Sequence, residues 1–356
     1  MIVYLTKQYQ AVPALWPLYQ ALGGEFVTTR PSTKRALRRV YPGTPVTLLR
    51  ESFGRFSRGD KLLRQAKAIV TGSPNRALLS RYLADKYMVF HGTYAFISDE
   101  EIAGLRHFDH VCAIGPRMYE SLMASDLQEK VILSGYLPFL DFPQRTSELR
   151  QKFLTQVGLS PEAETVLYLP RGKPYGSWNV MAEKLVRETP SHYNLILRPH
   201  PSQSVTARLK DWLSFMRIKK LCQERGRALL DLTSCKLSTL FAVANLVITD
   251  GASSPEEALY YDLPLLFVES TGSSPDAIAA MMRRKKLTEE YISKILTIYN
   301  CGMRISPDDH RLSHVISMSI IEAERFKMHR EKYFKWVFGD RGTDRQKKFI
   351  NQLSLV

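Results

Sequence analysis

The sequence predicts an α/β protein that contains two Rossmann-like domains. Short, continuously apolar segments alternate with amphipathic helical segments along the chain. Apolar strands of this kind belong to parallel sheets that helices cover on both faces. The alternation runs twice, with a break between residues 142 and 164. The length of 356 residues also favours two domains, because it exceeds what one hydrophobic core usually serves.

The individual elements follow from hydrophobic periodicity. The predicted strands of the first half are Ile2–Leu5, Phe26–Thr29, Thr47–Leu49, Ala68–Thr71, Tyr87–Phe90, His110–Ile114 and Lys130–Leu133. Those of the second half are Thr165–Leu169, Tyr193–Leu197, Ala228–Asp231, Leu246–Thr249 and Leu265–Val268. Helical spacing predicts helices over Ala11–Leu22 and Leu149–Val157, and one long amphipathic helix over Leu312–Phe338. We therefore predict an N-terminal domain over 1–145, a C-terminal domain over 146–325, and a helical segment over 326–356 that packs back toward the N-terminal domain.

Composition indicates a globular protein of the cytoplasm. Hydrophobic residues make up 44% of the chain and charged residues 24%, and no apolar run approaches the length of a membrane span. The first residues predict a β-strand and lack the pattern of a signal peptide. The four cysteines are scattered and form no metal-spaced pair, which favours a reduced compartment and predicts no metal site.

The chain is strongly basic, with a net charge of +15. Many of the cations lie in the first quarter, namely Arg30, Lys34, Arg35, Arg38, Arg39, Arg50, Arg55, Arg58, Lys61, Arg64 and Lys67. Arg35, Arg38 and Arg39 have the spacing of one helix face. Such a surface attracts an acidic polymer or an anionic membrane, or it is simply a solvated basic face. Nucleic acid is the least supported partner, because no nucleic-acid-binding signature accompanies the charge.

A loop of small residues follows the apolar run that ends at Thr249. The sequence Asp250-Gly-Ala-Ser-Ser254 leads into a helix that opens on Pro255. A loop of this kind presents backbone N–H groups at a helix N-terminus, which is a site for anions. The segment Ser254-Pro-Glu-Glu257 also fits a capping box, so a purely structural role remains an alternative at this point.

Two histidines follow other predicted strands, where doubly wound folds place their ligands. His91, beside Gly92, suits a general base near neutral pH. Arg198 and His200 are separated by a proline, so the segment is extended and both side chains can face one side as a diphosphate clamp. Each histidine could instead be structural. The chain contains no Asp-x-Asp pair, no His-Glu-x-x-His and no phosphate-binding P-loop.

These three motifs, in this order, resemble the CDP-glycerol glycerophosphotransferase family, the polymerases and primases of teichoic acid. They read His91-Gly-Thr93, Arg198-Pro-His200-Pro and Thr249-Asp-Gly-Ala-Ser253. Three further segments are similar to family motifs: Gly135-Tyr-Leu-Pro-Phe-Leu-Asp141, Leu167-Tyr-Leu-Pro-Arg171 and Phe338-Gly-Asp-Arg-Gly-Thr-Asp-Arg345. The chain departs from the family at Tyr94, where a proline is common, and at Gly251 and Ala252, where Tyr and Ser are common.

The resemblance implies a GT-B fold, in which two Rossmann-like domains face a cleft, with the acceptor on the N-terminal side and the nucleotide donor on the C-terminal side. It implies catalytic roles for His91, Arg198 and His200. The donor-binding residues that it implies are Arg171, Arg198, His200, Asp250, Gly251, Ser253, Ser254 and Glu257.

The implied reaction moves glycerol phosphate, or a sugar, from a CDP-, UDP- or CMP-linked donor to a surface polymer or lipid-linked acceptor. No tightly bound cofactor is expected. The basic segment would contact the anionic inner leaflet, which places the protein in the cytoplasm, peripheral on the inner face of the cell membrane.

Three alternatives remain open. The loop from Thr249 is also similar to that of UDP-GlcNAc 2-epimerase, so the chain could be a non-hydrolysing UDP-sugar 2-epimerase that needs no acceptor. It could be another GT-B glycosyltransferase of capsule or polysaccharide synthesis. It could also be a GT-B protein that binds a nucleotide or polymer without catalysis.

Overall fold

The chain forms two compact units. The structure, a computed structural model, describes residues 1–50, 57–251, 253–270 and 272–355. One unit comprises Met1–Phe142 with Lys335–Val356, and the other comprises Pro143–Phe334. The units divide after Phe142 and after Phe334. The domain boundaries at 145/146 and 325/326 stay predictions.

The first unit is built on a seven-stranded parallel sheet with the strand order β3-β2-β1-β4-β5-β6-β7. Its strands are β1 (Ile2–Leu5), β2 (Glu25–Thr28), β3 (Val46–Leu48), β4 (Ala68–Thr71), β5 (Asp85–Val89), β6 (His110–Ala113) and β7 (Val131–Leu133). In the centre of the sheet, Tyr4 lies between Phe26 and Val70.

The second unit is built on a six-stranded parallel sheet with the order β10-β9-β8-β11-β12-β13. Its strands are β8 (Thr165–Leu169), β9 (Asn194–Leu197), β10 (Ala228–Leu230), β11 (Leu246–Thr249), β12 (Leu265–Val268) and β13 (Gly302–Ile305). Every residue of β8, β9, β11 and β12 is buried, which explains why these strands are mainly apolar in the sequence.

Helices connect the strands of both sheets. They are α1 (Val12–Leu22), α2 (Pro31–Val40), α3 (Arg58–Gln65), α4 (Arg76–Leu79), α5 (Asp99–Leu105), α6 (Pro116–Met123), α7 (Ser147–Gln156), α8 (Trp178–Glu188), α9 (Pro201–Ser204), α10 (Leu209–Arg225), α11 (Leu237–Val243), α12 (Ser254–Ala258), α13 (Pro275–Arg284), α14 (Glu289–Leu296), α15 (Leu312–Ile321), α16 (Lys327–Phe338) and α17 (Asp344–Ser354). Local sequence signals set several helix starts, such as the capping box of Ser98 and Glu101 at α5. No helix within the described residues has the length and apolar character needed to cross a membrane.

Both sheets have the strand order of the doubly wound Rossmann fold. The order reverses between β1 and β4 in one sheet and between β8 and β11 in the other. In open sheets of this type, ligands bind beyond the carboxyl ends of the strands at such a switch point. The predicted α/β class with two Rossmann-like halves is therefore confirmed. The two switch points are the positions at which we expect a ligand-binding site.

Two elements differ from the sequence prediction. The single helix predicted over Leu312–Phe338 is wrong, because a 3-10 turn at Ala323–Phe326 separates α15 from α16. At this break, the buried guanidinium of Arg330 donates to the carbonyl of Ala323 (2.8 Å) and to Asp262 (2.6 Å). The edge strand β13 was not predicted, because Gly302 and the exposed Arg304 interrupt its apolar pattern.

Candidate functional site

Asp250 joins two loops at the switch point of the second unit. It follows β11 directly and is 2% exposed. Its Oδ1 accepts the backbone N–H of Arg171 (2.5 Å), and its Oδ2 accepts the backbone N–H of Ser177. Both amides belong to the segment 171–177 that follows β8, which we call the β8 loop. Burial raises the pKa of Asp250, against the opposing effect of these hydrogen bonds. The geometry gives Asp250 a positioning role, and its direct contact with a donor stays a prediction.

The β8 loop carries a cation at the carboxyl edge of the sheet. The half-buried guanidinium of Arg171 lies 3.4 Å from the carbonyl oxygen of Gly272, and its Cζ lies 5.9 Å from the ring centroid of Tyr175. Tyr175 is 59% exposed. A partly exposed guanidinium beside an exposed ring is suited to phosphate and nucleotide recognition. The sequence singled out Arg171 but gave no signal for Tyr175.

Gly251 occupies a backbone conformation that requires glycine. Its φ is +108°, and a Cβ built there would meet only the Cδ of Arg171, at 3.7 Å. Backbone conformation, and not crowding, therefore excludes a larger residue at this point. The next residue, Ala252, lies outside the residues that the structure describes.

The capping box expected at Ser254–Glu257 is not formed. The helix α12 spans only five residues, its N-cap is Ser253, and that side chain makes no capping hydrogen bond. Ser253 and Ser254 are half-exposed, whereas Glu257 is buried. The two serines therefore remain candidates for phosphate contacts. The predicted contact of Glu257 with a ribose stays untested.

Arg198 lies in a buried ion pair. Arg198 is 4% exposed, and its Nη1 donates to the Oδ2 of Asp231 (2.6 Å) and to the carbonyl of Cys235 (2.8 Å). Asp231 follows β10 and is fully buried. The clamp expected from Arg198 and His200 therefore stays a prediction, and the geometry adds that Arg198 is held by Asp231. A guanidinium at this depth needs a carboxylate partner, and Asp231 provides one.

His200 is half-exposed at the start of the short helix α9. Its Nδ1 accepts the backbone N–H of Ser202 (3.2 Å). The hydroxyl of Ser202 also lies 2.7 Å from Nδ1. The tautomer with its hydrogen on Nε2 satisfies both contacts, and in that form Nε2 can donate to a phosphate oxygen. A Cβ on Gly172 would lie 2.9 Å from this Nδ1, so the imidazole packs directly against the β8 loop. That loop thus contacts both His200 and Asp250, which are distant in the sequence.

His91 lies in the first unit, just beyond β5. Its Nδ1 lies 2.8 Å from the carbonyl oxygen of Gly72. A carbonyl only accepts, so Nδ1 carries the hydrogen and Nε2 is left as a base. Burial lowers the pKa of His91, despite the opposing hydrogen bond to Gly72. A neutral imidazole with a basic Nε2 is the form that a general base requires.

The segment after His91 is held by a buried arginine, Arg117. The sequence gave no signal for this residue. Arg117 is 2% exposed, and its Nη2 donates to the carbonyls of Thr93 (2.8 Å) and Tyr94 (3.3 Å). Its Cζ lies 5.2 Å from the ring centroid of Trp336. Tyr94 has a φ of +42°, a conformation that costs energy in a non-glycine residue. The buried guanidinium supports this segment and therefore acts as a positioning residue.

The predicted basic surface is present on α2. Arg35, Arg38 and Arg39 are exposed there, while Thr33, Ala36, Leu37 and Val40 form the buried face. Arg55 of the same basic segment lies outside the described residues. Within the part of the chain that the structure describes, no group of three or more histidine, cysteine, aspartate or glutamate residues is arranged to hold a metal ion.

Comparison of the fold with solved structures gives matches over nearly the whole chain. No family model matches the sequence, and no curated protein matches it. The wall teichoic acid polymerase TagF matches with a TM-score of 0.69 at 14% identity, over 100% of this chain and 89% of that one. A histidine variant of TagF soaked with CDPG also gives 0.69, at 13% identity, over 99% and 87% of the two chains.

The HepE protein of Anabaena, in complex with UDP-glucose, matches with a TM-score of 0.54 at 13% identity, over 100% and 99% of the two chains. This chain has a GT-B fold. The fold that the motif resemblance implied is thereby confirmed. At this level of identity the likeness shows the fold alone.

Proposed function

We propose that the chain is a GT-B transferase that moves glycerol phosphate, or a sugar, from a nucleotide-activated donor to a cell-surface polymer or lipid-linked acceptor. One observation carries the proposal. The β8 loop lies at the switch point of the second unit and contacts both His200 and Asp250, in a fold similar to structures solved with CDPG and with UDP-glucose.

The donor diphosphate would bind at the β8 loop. Arg171 supplies positive charge, and the Nε2 of His200 supplies a hydrogen-bond donor. Backbone N–H groups and hydroxyls at Ser253 and Ser254 add further contacts at the β11 edge. Arg198 and Asp250 act indirectly, because their polar groups hold the surrounding loops.

The proposed chemistry is displacement at phosphorus. The acceptor hydroxyl oxygen attacks the β-phosphate of CDP-glycerol, a new P–O bond forms, and CMP departs with the electrons of the broken P–O bond. The Nε2 of His91 takes the hydroxyl proton. Phosphoryl transfer of this type depends mainly on positioning and charge stabilisation, which the residues above can supply.

A sugar donor is the second candidate, and one specific observation favours it. HepE, solved with UDP-glucose, is matched over 99% of its own length, so its whole fold corresponds to this chain. The higher TM-scores of the TagF structures favour glycerol phosphate. An epimerase would differ from both, because it would convert a UDP-sugar without any acceptor.

The acceptor would lie at the anionic inner leaflet of the cell membrane. The exposed arginines Arg35, Arg38 and Arg39 are suited to an anionic polymer or lipid surface, because each basic group near an anionic bilayer is worth about 1 kcal/mol. We accordingly propose a peripheral location on the cytoplasmic face.

A transfer assay with a donor panel tests the proposal. Purified protein is incubated with radiolabelled CDP-glycerol, UDP-glucose or UDP-GlcNAc, with and without membranes that carry lipid-linked acceptors. Acceptor-dependent release of CMP supports glycerol-phosphate transfer, and acceptor-dependent release of UDP supports glycosyl transfer. Conversion of UDP-GlcNAc in the absence of an acceptor would indicate an epimerase. Binding without any turnover would indicate a non-catalytic protein.

A further inference from the structure

The outer face of α10 carries an exposed apolar stripe. Leu209, Trp212, Leu213 and Met216 are 78%, 47%, 66% and 65% exposed. Their spacing of three and four residues places them on one side of the helix over two turns. Single exposed apolar residues are normal on a protein surface, but a contiguous stripe marks an interaction site.

Apart from Trp212, whose ring centroid lies 6.1 Å from that of the core residue Phe215, the stripe lies outside the core of the second unit. The buried face of α10 is formed by Asp211, Phe215, Ile218 and Cys222. The last three of these residues belong to the hydrophobic core of the second unit. At about 100° per residue, the stripe lies on the opposite side of the helix from this face. Packing in the core therefore does not explain why Leu209, Leu213 and Met216 are apolar.

Cations surround the stripe. Lys210 and Arg217 flank it on one side and Lys219 on the other, while Lys220 continues it by one turn, and all four are exposed. Arg217 also pairs with Glu183 at 2.7 Å, and Lys220 pairs with Glu224 at 3.8 Å. A helix with an apolar stripe, a tryptophan and flanking lysines has the pattern of helices that lie in the plane of a membrane interface.

We propose that α10 seats the second unit on an anionic lipid bilayer, with the stripe inserted at the boundary between headgroups and acyl chains. The charge of this surface favours a bilayer as its partner, because the cations on both sides of the stripe complement anionic headgroups. The whole chain also carries a net charge of +15. None of the stripe residues is among those proposed to bind the donor, and α2 belongs to the other unit, so the proposal does not depend on transfer activity.

The inner face of the same helix holds the β8 loop. Asp211 forms an ion pair with Lys173 of that loop. One turn further along, the hydroxyl of Ser214 accepts from the indole N–H of Trp178 (3.0 Å), which follows the loop directly. A helix seated on the bilayer would therefore keep the β8 loop next to the membrane, where a lipid-linked acceptor is available.

Vesicle flotation tests the proposal. The probe is a vesicle of phosphatidylcholine with 30% phosphatidylglycerol. It is mixed with the full chain at low salt and at about 0.5 M NaCl, where screening removes most of the long-range electrostatic attraction. We expect part of the wild-type binding to survive high salt, because insertion of apolar side chains does not depend on charge. The variant Leu209→Ser/Leu213→Ser/Met216→Ser should lose that part, with partitioning about tenfold weaker or more.

A matched control removes equally exposed apolar side chains from scattered positions. Leu83, Ile321 and Met328 are 104%, 72% and 73% exposed, and their replacement by serine should leave flotation unchanged. Equal loss in both triple variants would overturn the proposal. Wild-type binding that disappears completely at high salt would also overturn it, since charge alone would then explain the association.

Trp212 gives a second readout that does not depend on a destabilising substitution. Brominated lipids should quench part of the tryptophan fluorescence in the wild type, and Trp212→Phe should remove the quenched part. Absence of quenching in the wild type contradicts insertion. If the stripe variant instead changes the oligomeric state in size-exclusion chromatography and flotation is unaffected, the stripe is a contact between copies of the chain and the proposal fails.

Discussion

At the scale of single residues, one hydrogen bond determines what His91 can do. The carbonyl of Gly72 fixes the hydrogen on Nδ1 and leaves Nε2 to accept a proton. We expect His91→Gln to reduce transfer by about 100-fold or more, within the range of a general base, while donor affinity changes by less than about threefold. Steady-state kinetics with titrated donor measure both quantities. His192→Gln, at an exposed position, is the control and should be active. Near-normal turnover in His91→Gln would remove His91 from the mechanism.

Burial of His91 predicts the pH dependence of the reaction. Because burial lowers its pKa from 6.5, the ring stays neutral and basic down to pH values below 6.5, and kcat/KM, which reports the free enzyme, should fall only on the acid side of that value. The unfolded chain binds this proton more readily than the folded one, so stability should also decrease as the pH falls below 6.5. The pH profiles of kcat/KM and of the unfolding free energy check the two statements. An acid limb above pH 6.5 would contradict His91 as the base.

The two arginines Arg171 and Arg198 should respond differently to removal. Arg198→Ala leaves the buried carboxylate of Asp231 without its partner, and loss of one member of a buried ion pair costs about 3–5 kcal/mol of stability. Arg171→Ala removes a partly exposed cation, so stability should hold while donor binding weakens by about 1.5–3 kcal/mol. Denaturant unfolding and calorimetry separate these effects. A stable Arg198→Ala variant that no longer binds donor would reverse this assignment of roles.

At the scale of elements, the β8 loop organises the candidate site. It contacts Asp250 after β11, His200 after β9 and Asp211 in α10. A loop with three such contacts is held in place before any ligand binds, which reduces the entropy that binding would otherwise lose. The resembling motifs therefore mark positions that converge on a segment with no motif of its own except Arg171.

The helix α2 should act through charge alone. Replacing Arg35, Arg38 and Arg39 by serine should weaken binding to anionic vesicles by roughly a hundredfold, at about 1 kcal/mol for each cation. Salt should weaken the wild type in the same manner. Co-sedimentation at two salt concentrations is the measurement. Arg81, Arg227 and Arg284 are also exposed, and their replacement by serine is the control that removes equal charge elsewhere. Equal effects of both variants would mean that net charge matters and the α2 surface does not.

Sequence periodicity could predict the strands but not the pairing of buried polar groups. Strands such as β8 and β11 are apolar throughout, so their positions were predictable to the residue. The partner of Arg198 was not, because Asp231 is 33 residues away and nothing local marks an aspartate after β10 as its counter-ion. The outer stripe of α10 was missed for a related reason. Periodicity reports that a helix has apolar residues, but only the packed structure shows which of them face solvent.

At the scale of the whole molecule, the predicted roles divide between the two compact units. Every residue predicted to bind the donor belongs to the unit Pro143–Phe334, whereas His91 and the arginines of α2 belong to the other. Each unit has its own doubly wound sheet and switch point. Donor binding should therefore stabilise the unit Pro143–Phe334 directly and should not require His91.

Thermal unfolding with candidate donors tests this division. A ligand at 100 times its Kd stabilises the native state by about 2.7 kcal/mol, which corresponds to roughly 5–10 °C for a unit of this size. CDP-glycerol, CMP, UDP-glucose and UDP should be compared at equal concentrations, and the effective nucleotide identifies the donor base. His91→Gln should keep the full shift, and Arg171→Ala should lose most of it. A donor site confined to the second unit is contradicted if the increase in unfolding temperature vanishes in His91→Gln. It is also contradicted if none of the nucleotides raises the unfolding temperature.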